Sequence, residues 1–141
     1  MKFVLDASVA LLWLVPQTNP AGVAYADSVL LALKDSQAVV PSLFALEIAN
    51  VIAKIEGKGI VSEAESQRFT TLLGQLDIAT DMQTMSHALG DTLNLARRYR
   101  LSAYDAAYQE LALRMGLPLA TLDADLAKAA TTAGLTLFAL Q

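Results

Sequence analysis

The stretch KFVLDAS, residues 2–8, joins an apolar run to an acid. Its three consecutive apolar residues predict a buried parallel strand, and Ser8 predicts the start of a helix just beyond. Asp6 stands where the strand should end, and an ionised carboxylate beside a core is unfavourable unless something pairs with it. In open α/β sheets, ligand chemistry collects at the carboxyl ends of the strands. We therefore expect a functional site at Asp6.

The rest of the chain alternates between strand and helix patterns. Further strands are predicted over residues 38–40, 78–80, 119–121 and 135–139. Helices are predicted over residues 9–15, 21–34, 42–56, 62–76, 85–99, 102–115 and 124–133. This alternation implies a parallel sheet covered on both faces. We expect one domain over residues 1–141, a three-layer α/β/α sandwich with a five-stranded parallel sheet.

Composition narrows the class of protein. With 55% hydrophobic and 17% charged residues, the chain should be compact. Its net charge of −4 argues against coating nucleic acid by bulk charge, although a local basic rim remains compatible. The absence of Cys excludes disulfides and Cys-ligated zinc. The apolar run at residues 9–15 is too short to cross a membrane, so we expect a soluble, cytoplasmic protein.

Four acids stand beside the predicted core. Asp6 and Asp123 follow strands at what should be one edge of the sheet, and Glu47 and Asp105 lie early in helices that leave this edge. Each acid has a simpler explanation. Asp6 and Asp123 could cap helices, Asp105 could form a capping box with Ser102, and Glu47 could be solvated.

The combination of the four acids suggests a different explanation. Crowded carboxylates repel one another, and a metal ion is the usual remedy. Oxygen ligands, without Cys and with one His, favour Mg²⁺ or Mn²⁺. Such a pocket suits the hydrolysis of phosphodiesters. Ser8 and Thr121 are small hydroxyls beside Asp6 and Asp123, and they are candidates to orient a carboxylate.

Four segments together resemble a known family: FVLDAS at residues 3–8, EIANV at 47–51, LSAYDAAY at 101–108 and LATLDADL at 119–126. The chain resembles PIN domains, most closely the VapC-type ribonuclease toxins of bacterial toxin–antitoxin pairs. This resemblance implies a five-stranded parallel sheet, endoribonuclease activity that depends on Mg²⁺ or Mn²⁺, a homodimer, and a small cognate antitoxin.

The resemblance also assigns the site. Asp6, Glu47, Asp105 and Asp123 fall on the family's four acidic positions, which are both catalytic and metal-binding. Thr121 falls on its usual hydroxyl position, and Asn50 lies in the same segment as Glu47, where we count it among the supporting residues. The fourth acid is the least uniform in relatives, and Asp125 lies close by, so either Asp123 or Asp125 could be the fourth ligand.

Basic residues near these acids are candidates for RNA contact. Arg97, Arg98 and Arg100 precede the helix of Asp105, and Lys54 lies beyond Glu47 on its helix. The alternative for the arginines is a solvated helix end that complements the helix dipole. An apolar stripe through Tyr108 predicts core or dimer contact.

The leading hypothesis is therefore an RNA-cleaving toxin. One alternative is a PIN-like binding or assembly module that has lost turnover. Another is a metal-dependent DNA nuclease or phosphatase with a similar acidic pocket.

Overall fold

The structure is a computed structural model that describes residues 1–139. Its sheet has four parallel strands in the order β3-β2-β1-β4. The strands are β1 (Lys2–Leu5), β2 (Gln37–Val40), β3 (Ile78–Thr80) and β4 (Leu119–Ala120). The parallel α/β fold expected from the sequence is confirmed.

Seven α-helices alternate with these strands over the described residues. They are α1 (Ala7–Ala10), α2 (Val23–Ala32), α3 (Phe44–Gly57), α4 (Glu63–Gln75), α5 (Leu93–Tyr99), α6 (Ala103–Met115) and α7 (Ala124–Thr132). Helix α4 begins with a capping box, in which Ser62 and Glu65 each accept a backbone hydrogen bond from the other.

The prediction of five strands is wrong, since the sheet has four. The segment after Gly134 reaches the sheet, but it pairs at a single position, where Leu137 lies beside Leu119. Its partner strand β4 is only two residues long and follows Pro118, which has no N–H to donate. Beside such a short partner strand, the apolar segment forms an isolated β-bridge and no ladder of paired residues.

The helix predicted over residues 85–99 is regular only at its end. A 3₁₀ turn covers Met85–His87 and a π-helical turn covers Ala88–Thr92 before α5 begins. Gly90 lies inside the π turn, where its backbone freedom weakens the preference for a regular helix.

Strand β1 lies in the centre of the sheet and of the core. It is flanked by β2 and β4, and its apolar side chains are fully buried. The ring of Phe3 stacks on that of Phe138 at 4.1 Å between centroids. Because β1 is fixed on both sides, the residue that follows it, Asp6, is held at the middle of the sheet's carboxyl edge.

A second charged group, the Arg114 cluster, joins the segment after β3 to helix α6. It consists of Asp81, Glu110 and Arg114. The Arg114 guanidinium donates to Asp81 at 2.6 and 3.2 Å, and to Glu110 at 2.8 and 3.1 Å. Two carboxylates thus share one planar cation in fork geometry, which is the strongest form of ion pair in proteins.

Candidate active site

Asp6 is buried at the end of β1 and held by two hydroxyls. Its Oδ2 atom accepts hydrogen bonds from Ser8 Oγ at 2.6 Å and from Thr121 Oγ1 at 2.7 Å. The side chain makes no capping hydrogen bond to α1. Asp6 thus occupies the N-cap position of α1, but capping does not account for its carboxylate.

The same two hydroxyls connect the turn after β1 to the turn after β4. Ser8 Oγ accepts from the backbone N–H of Leu122 at 3.0 Å, and Thr121 Oγ1 accepts from that of Asp123 at 3.0 Å. Each hydroxyl thus donates to Asp6 while it accepts from the neighbouring loop. This arrangement fixes both the hydroxyl protons and the orientation of the Asp6 carboxylate.

Asp123 and Asp105 both lie at helix starts, but only one caps its helix with its carboxylate. Asp123 is the N-cap of α7, and its Oδ1 accepts from Leu126 N at 2.9 Å. In α6 the cap is Ser102, whose Oγ accepts from Asp105 N at 3.1 Å, and no reciprocal bond to the Asp105 carboxylate completes a box. The Asp105 carboxylate therefore completes no capping box, although the Ser102 hydroxyl lowers its pKa.

Glu47 lies in the first turn of α3 and is half-buried. Its Oε1 accepts a hydrogen bond from the hydroxyl of Tyr108 at 2.5 Å. The ring of Tyr108 is fully buried in α6, and burial, followed by contact with Glu47, raises the pKa of that hydroxyl. Tyr108 therefore acts as a hydrogen-bond donor that positions the Glu47 carboxylate.

The pKa values show that the acids influence one another. Burial raises the pKa of Asp6 despite the hydrogen bonds from Ser8 and Thr121, and the charge of Asp123 raises it further. Burial also raises the pKa of Asp105 to about 6, with contributions from Asp123, Asp6 and Asp125.

Glu47 belongs to the same electrostatic group. Burial raises its pKa, the Tyr108 hydrogen bond lowers it, and the charges of Asp6 and Asp105 raise it again. Four acids from four separate elements therefore converge on one edge of the sheet. None of the four takes part in an ion pair within residues 1–139.

The carboxylates converge without forming a tight cage. Over residues 1–139 there is no group of three or more His, Cys, Asp or Glu side chains placed to hold a metal ion together. Mg²⁺ usually retains several waters and binds through one or two carboxylates plus substrate phosphates. The oxygen donors here suit that mode of binding, and a four-carboxylate ligand set stays a prediction.

The other predicted residues lie at the surface. Asn50 and Lys54 are exposed on α3, one and two turns beyond Glu47. Arg97 is exposed on α5 and donates to Asn94 Oδ1 at 3.3 Å. Neither Asn50 nor Lys54 makes a side-chain hydrogen bond within the described chain.

The remaining two arginines lie at the end of α5. The Arg98 guanidinium lies 5.6 Å from the ring centroid of Tyr99. Arg100 is exposed and terminates the helix in the left-handed conformation, at φ 55° and ψ 43°.

Sequence reasoning missed the role of Tyr108, which it assigned only to core or dimer contact. A signal was present, because a buried Tyr, unlike a Phe, needs a hydrogen-bond partner for its hydroxyl. The identity of that partner could not be predicted, since Glu47 lies 61 residues away on another helix.

The fold and the acidic edge define a class: an α/β protein with a carboxylate site at the end of its central strand. The family model of the PIN domain matches residues 3–131. The chain belongs to the PIN domain family. It is also 31% identical to Ribonuclease VapC3 from Pyrobaculum aerophilum over 128 residues, which are 91% of this chain and 94% of that relative.

Solved structures share the fold. VapBC2 from Rickettsia felis, bound to a DNA fragment from its promoter, matches with a TM-score of 0.66 and 15% identity over 100% of both chains. FitAcB from Neisseria gonorrhoeae matches with a TM-score of 0.61 and 21% identity, over 99% of this chain and 97% of the other. The VapC-type likeness seen in the sequence is confirmed.

None of the helices within residues 1–139 combines the length and the apolar character needed to span a bilayer.

Proposed function

We propose that this protein is an endoribonuclease that depends on Mg²⁺ or Mn²⁺ and serves as the toxin of a toxin–antitoxin pair. One observation carries the proposal: the three acids Glu47, Asp105 and Asp123 lie near a buried Asp6. Asp6 is hydrogen-bonded by Ser8 and Thr121, and none of the four acids is paired with a cationic side chain within residues 1–139. Unpaired carboxylates at a sheet edge indicate a site for an external cation.

Some residues of this chain would bind the ion, and others orient those ligands. Asp6, Glu47, Asp105 and Asp123 would hold the ion, with Asp125 as the alternative to Asp123. When bound, the ion supplies Lewis-acid activation of water and charge stabilisation for the phosphate and the leaving 3′ oxygen. Ser8 and Thr121 orient Asp6, and Tyr108 orients Glu47, so that these carboxylates present fixed oxygens.

The protonation states suit neutral pH. With a pKa of about 6, Asp105 is mostly ionised at pH 7 and becomes neutral in mild acid. We therefore expect cleavage to weaken below about pH 6, because a protonated Asp105 is a poor ligand for a divalent cation.

The relatives support the choice of substrate and system. The 31% identical relative is called a ribonuclease, and VapBC2 and FitAcB share the fold. We extend RNA cleavage to this chain on that basis, and with it a cytoplasmic location, a homodimer and a small antitoxin partner. Sedimentation of the purified chain would measure the dimer directly.

The deciding experiment is cleavage of a mixed RNA pool by the purified protein with Mn²⁺, with Mg²⁺ and with EDTA. The test variant is Asp6→Asn. The matched control is Asp35→Asn, which removes the same charge from an exposed position outside the site. We expect metal-dependent cutting by the parent and by Asp35→Asn, and loss of cutting in Asp6→Asn.

Other outcomes would identify the alternatives. Full activity of rigorously purified Asp6→Asn would overturn the site. Cutting of single-stranded DNA or of a phosphomonoester in preference to RNA would indicate a DNA nuclease or a phosphatase. A thermal shift with metal but no cutting of any substrate would indicate a PIN-like binding or assembly module that has lost turnover.

An apolar groove offers a surface for the antitoxin. It has a volume of about 580 Å³ and lies between α3 and α4, where Ile48, Ile52 and Leu73 line it. Grooves of this kind accept the apolar face of a partner helix. Ala53 also lines the groove and is exposed, so Ala53→Glu introduces a charge without disturbing the core.

The groove is tested with the proposed antitoxin, to be sought as a small open reading frame beside this chain's gene. Co-expression followed by affinity purification should recover the complex with the parent and with Ala24→Glu, a control at an exposed position on α2. The complex should not be recovered with the Ala53→Glu variant. Equal recovery with both variants would place the antitoxin elsewhere.

A further inference from the structure

A pocket of about 410 Å³ lies beside the acidic site and is lined by cations. Arg98 and Arg100 contribute from the end of α5, and Lys128 contributes from α7. Asp125 is the one acid in the lining, so these four side chains carry a net charge of +2. In a chain whose net charge is −4, this concentration of positive charge is local.

Arg100 occupies a backbone conformation that favours glycine. Its φ of 55° makes it the one residue other than Gly with a positive φ within residues 1–139. Helix α6 ends in the same left-handed conformation, but there the residue is Gly116. A left-handed residue with a Cβ is strained, and such strain is concentrated at functional sites. Arg100 also lines the pocket.

The pocket lies on elements that also carry the proposed active site. Arg100 lies two residues before Ser102, the cap of the helix that carries Asp105. Lys128 lies five residues beyond Asp123 on the same helix, about 7.5 Å along its axis. Asp125 lines the pocket, and its charge contributes to the raised pKa of Asp105. A chain bound across the acidic site could therefore continue into the pocket.

We propose that the pocket formed by Arg98, Arg100 and Lys128 binds backbone phosphates of single-stranded RNA next to the bond that is cleaved. This inference rests on the proposed ribonuclease function and adds a subsite to it. Arginine and lysine provide most protein contacts to phosphate oxygens, and such contacts set register without reading sequence. The pocket therefore increases the affinity for RNA and sets the position of the RNA strand relative to the acidic site.

The test measures binding of a fluorescent single-stranded RNA at several salt concentrations. All proteins carry Asp6→Asn, which keeps the RNA intact, and Mg²⁺ is present. In this background Arg98→Gln, Arg100→Gln and Lys128→Gln are compared singly and together. Arg68→Gln removes the same charge from an exposed position on α4 and is the control.

We expect weaker binding and a smaller salt dependence. The slope of log K against log salt should decrease by about 0.7 for each lost phosphate contact, and by about 2 in the triple variant. The slope of Arg68→Gln should equal that of the parent.

A second variant separates binding from folding. Arg100→Gly relieves the left-handed strain, so it should raise the melting temperature while it weakens RNA binding. Opposite effects of one substitution cannot result from general unfolding.

The outcomes separate this inference from the proposed function. Unchanged RNA affinity and slope in the triple variant, with binding by the parent intact, would overturn the pocket alone. Failure of the Asp6→Asn protein to bind RNA at any salt concentration would overturn the pocket alone. The ribonuclease proposal is overturned separately, if the chain without Asp6→Asn cuts no RNA.

Discussion

Two groups of carboxylates lie at the edge of this protein's core, and only one is neutralised. In the Arg114 cluster, Asp81 and Glu110 share a guanidinium. Burial raises the pKa of Asp81, but hydrogen bonds from Arg114 and Thr84 outweigh that effect and leave the pKa below its usual value. In the acidic site, by contrast, the pKa values of Asp6, Glu47 and Asp105 are all raised.

This difference separates structural acids from functional ones. The fold is able to pair buried carboxylates with arginine, and it does so where the acids join two segments of the chain. At the end of β1 it provides hydroxyls in place of a cation, so the negative charge persists. This negative charge destabilises the metal-free protein, and a bound divalent cation would remove that destabilisation.

The largest effect should come from removing the cation of the Arg114 cluster. Arg114→Ala leaves two nearly buried carboxylates without a partner, which should lower the free energy of unfolding by roughly 3 kcal/mol. Urea denaturation measures the change, and Arg68→Ala, at an exposed position, should stay within about 0.5 kcal/mol of the parent. A loss for Arg114→Ala as small as that of the control would show that the cluster contributes little.

The metal response should be the next largest effect, and it should be confined to the acidic site. At a metal concentration of about 100 times Kd, binding to the native state alone adds about 2.7 kcal/mol to the free energy of unfolding. Mg²⁺ or Mn²⁺ should therefore raise the melting temperature of the parent, and Asp6→Asn should reduce that shift. An equal shift in parent and variant would place the metal away from Asp6.

The sequence predicted the acidic site better than it predicted the contacts around it. Asp6 was predictable because an acid at the end of an apolar run is a local pattern. The i,i+4 spacing of Glu110 and Arg114 is also local, but the contact of Arg114 with Asp81 spans 33 residues and depends on how α6 packs. The contact between Tyr108 and Glu47 depends on tertiary packing in the same way.

The prediction of a fifth strand was wrong for a related reason. Residues 135–139 have the composition of a strand, but a strand needs a partner of matching length. That partner, β4, is two residues long, and its length is set by Pro118 and by the turn that carries Thr121. Composition describes the segment alone, whereas pairing depends on its neighbour.

Matched substitutions in the two groups should change stability in opposite directions. In EDTA at pH 7, Asp6→Asn removes a raised-pKa carboxylate from a repulsive group and should increase the free energy of unfolding. Asp81→Asn removes one side of an ion pair and should decrease it. Urea denaturation of both variants measures the signs. A decrease for Asp6→Asn would mean that hydrogen bonding to the ionised form outweighs repulsion.

The smallest effect should be the pH dependence, where the two groups act in different ranges. Asp105 has a pKa of about 6 in the folded protein against an ordinary value of 3.8, so the folded state binds its proton more tightly. Its contribution to stability is complete below about pH 4 and is lost as the pH rises to about 6. Asp81, with a lowered pKa, contributes stability above its ordinary pKa of 3.8 and loses it as the pH falls further.

In EDTA, the metal-free protein should therefore be more stable at pH 5 than at pH 7, by an amount of the order of 1 kcal/mol after solvent screening of the half-buried Asp105. Asp105→Asn should reduce that difference, because the variant has no carboxyl group to protonate at that position. The matched control is Asp35→Asn, which should retain the pH dependence of the parent. Parallel pH profiles for Asp105→Asn and the parent would show that Asp105 is not the group that titrates, and the acidic site would then owe its repulsion to Asp6 and Glu47.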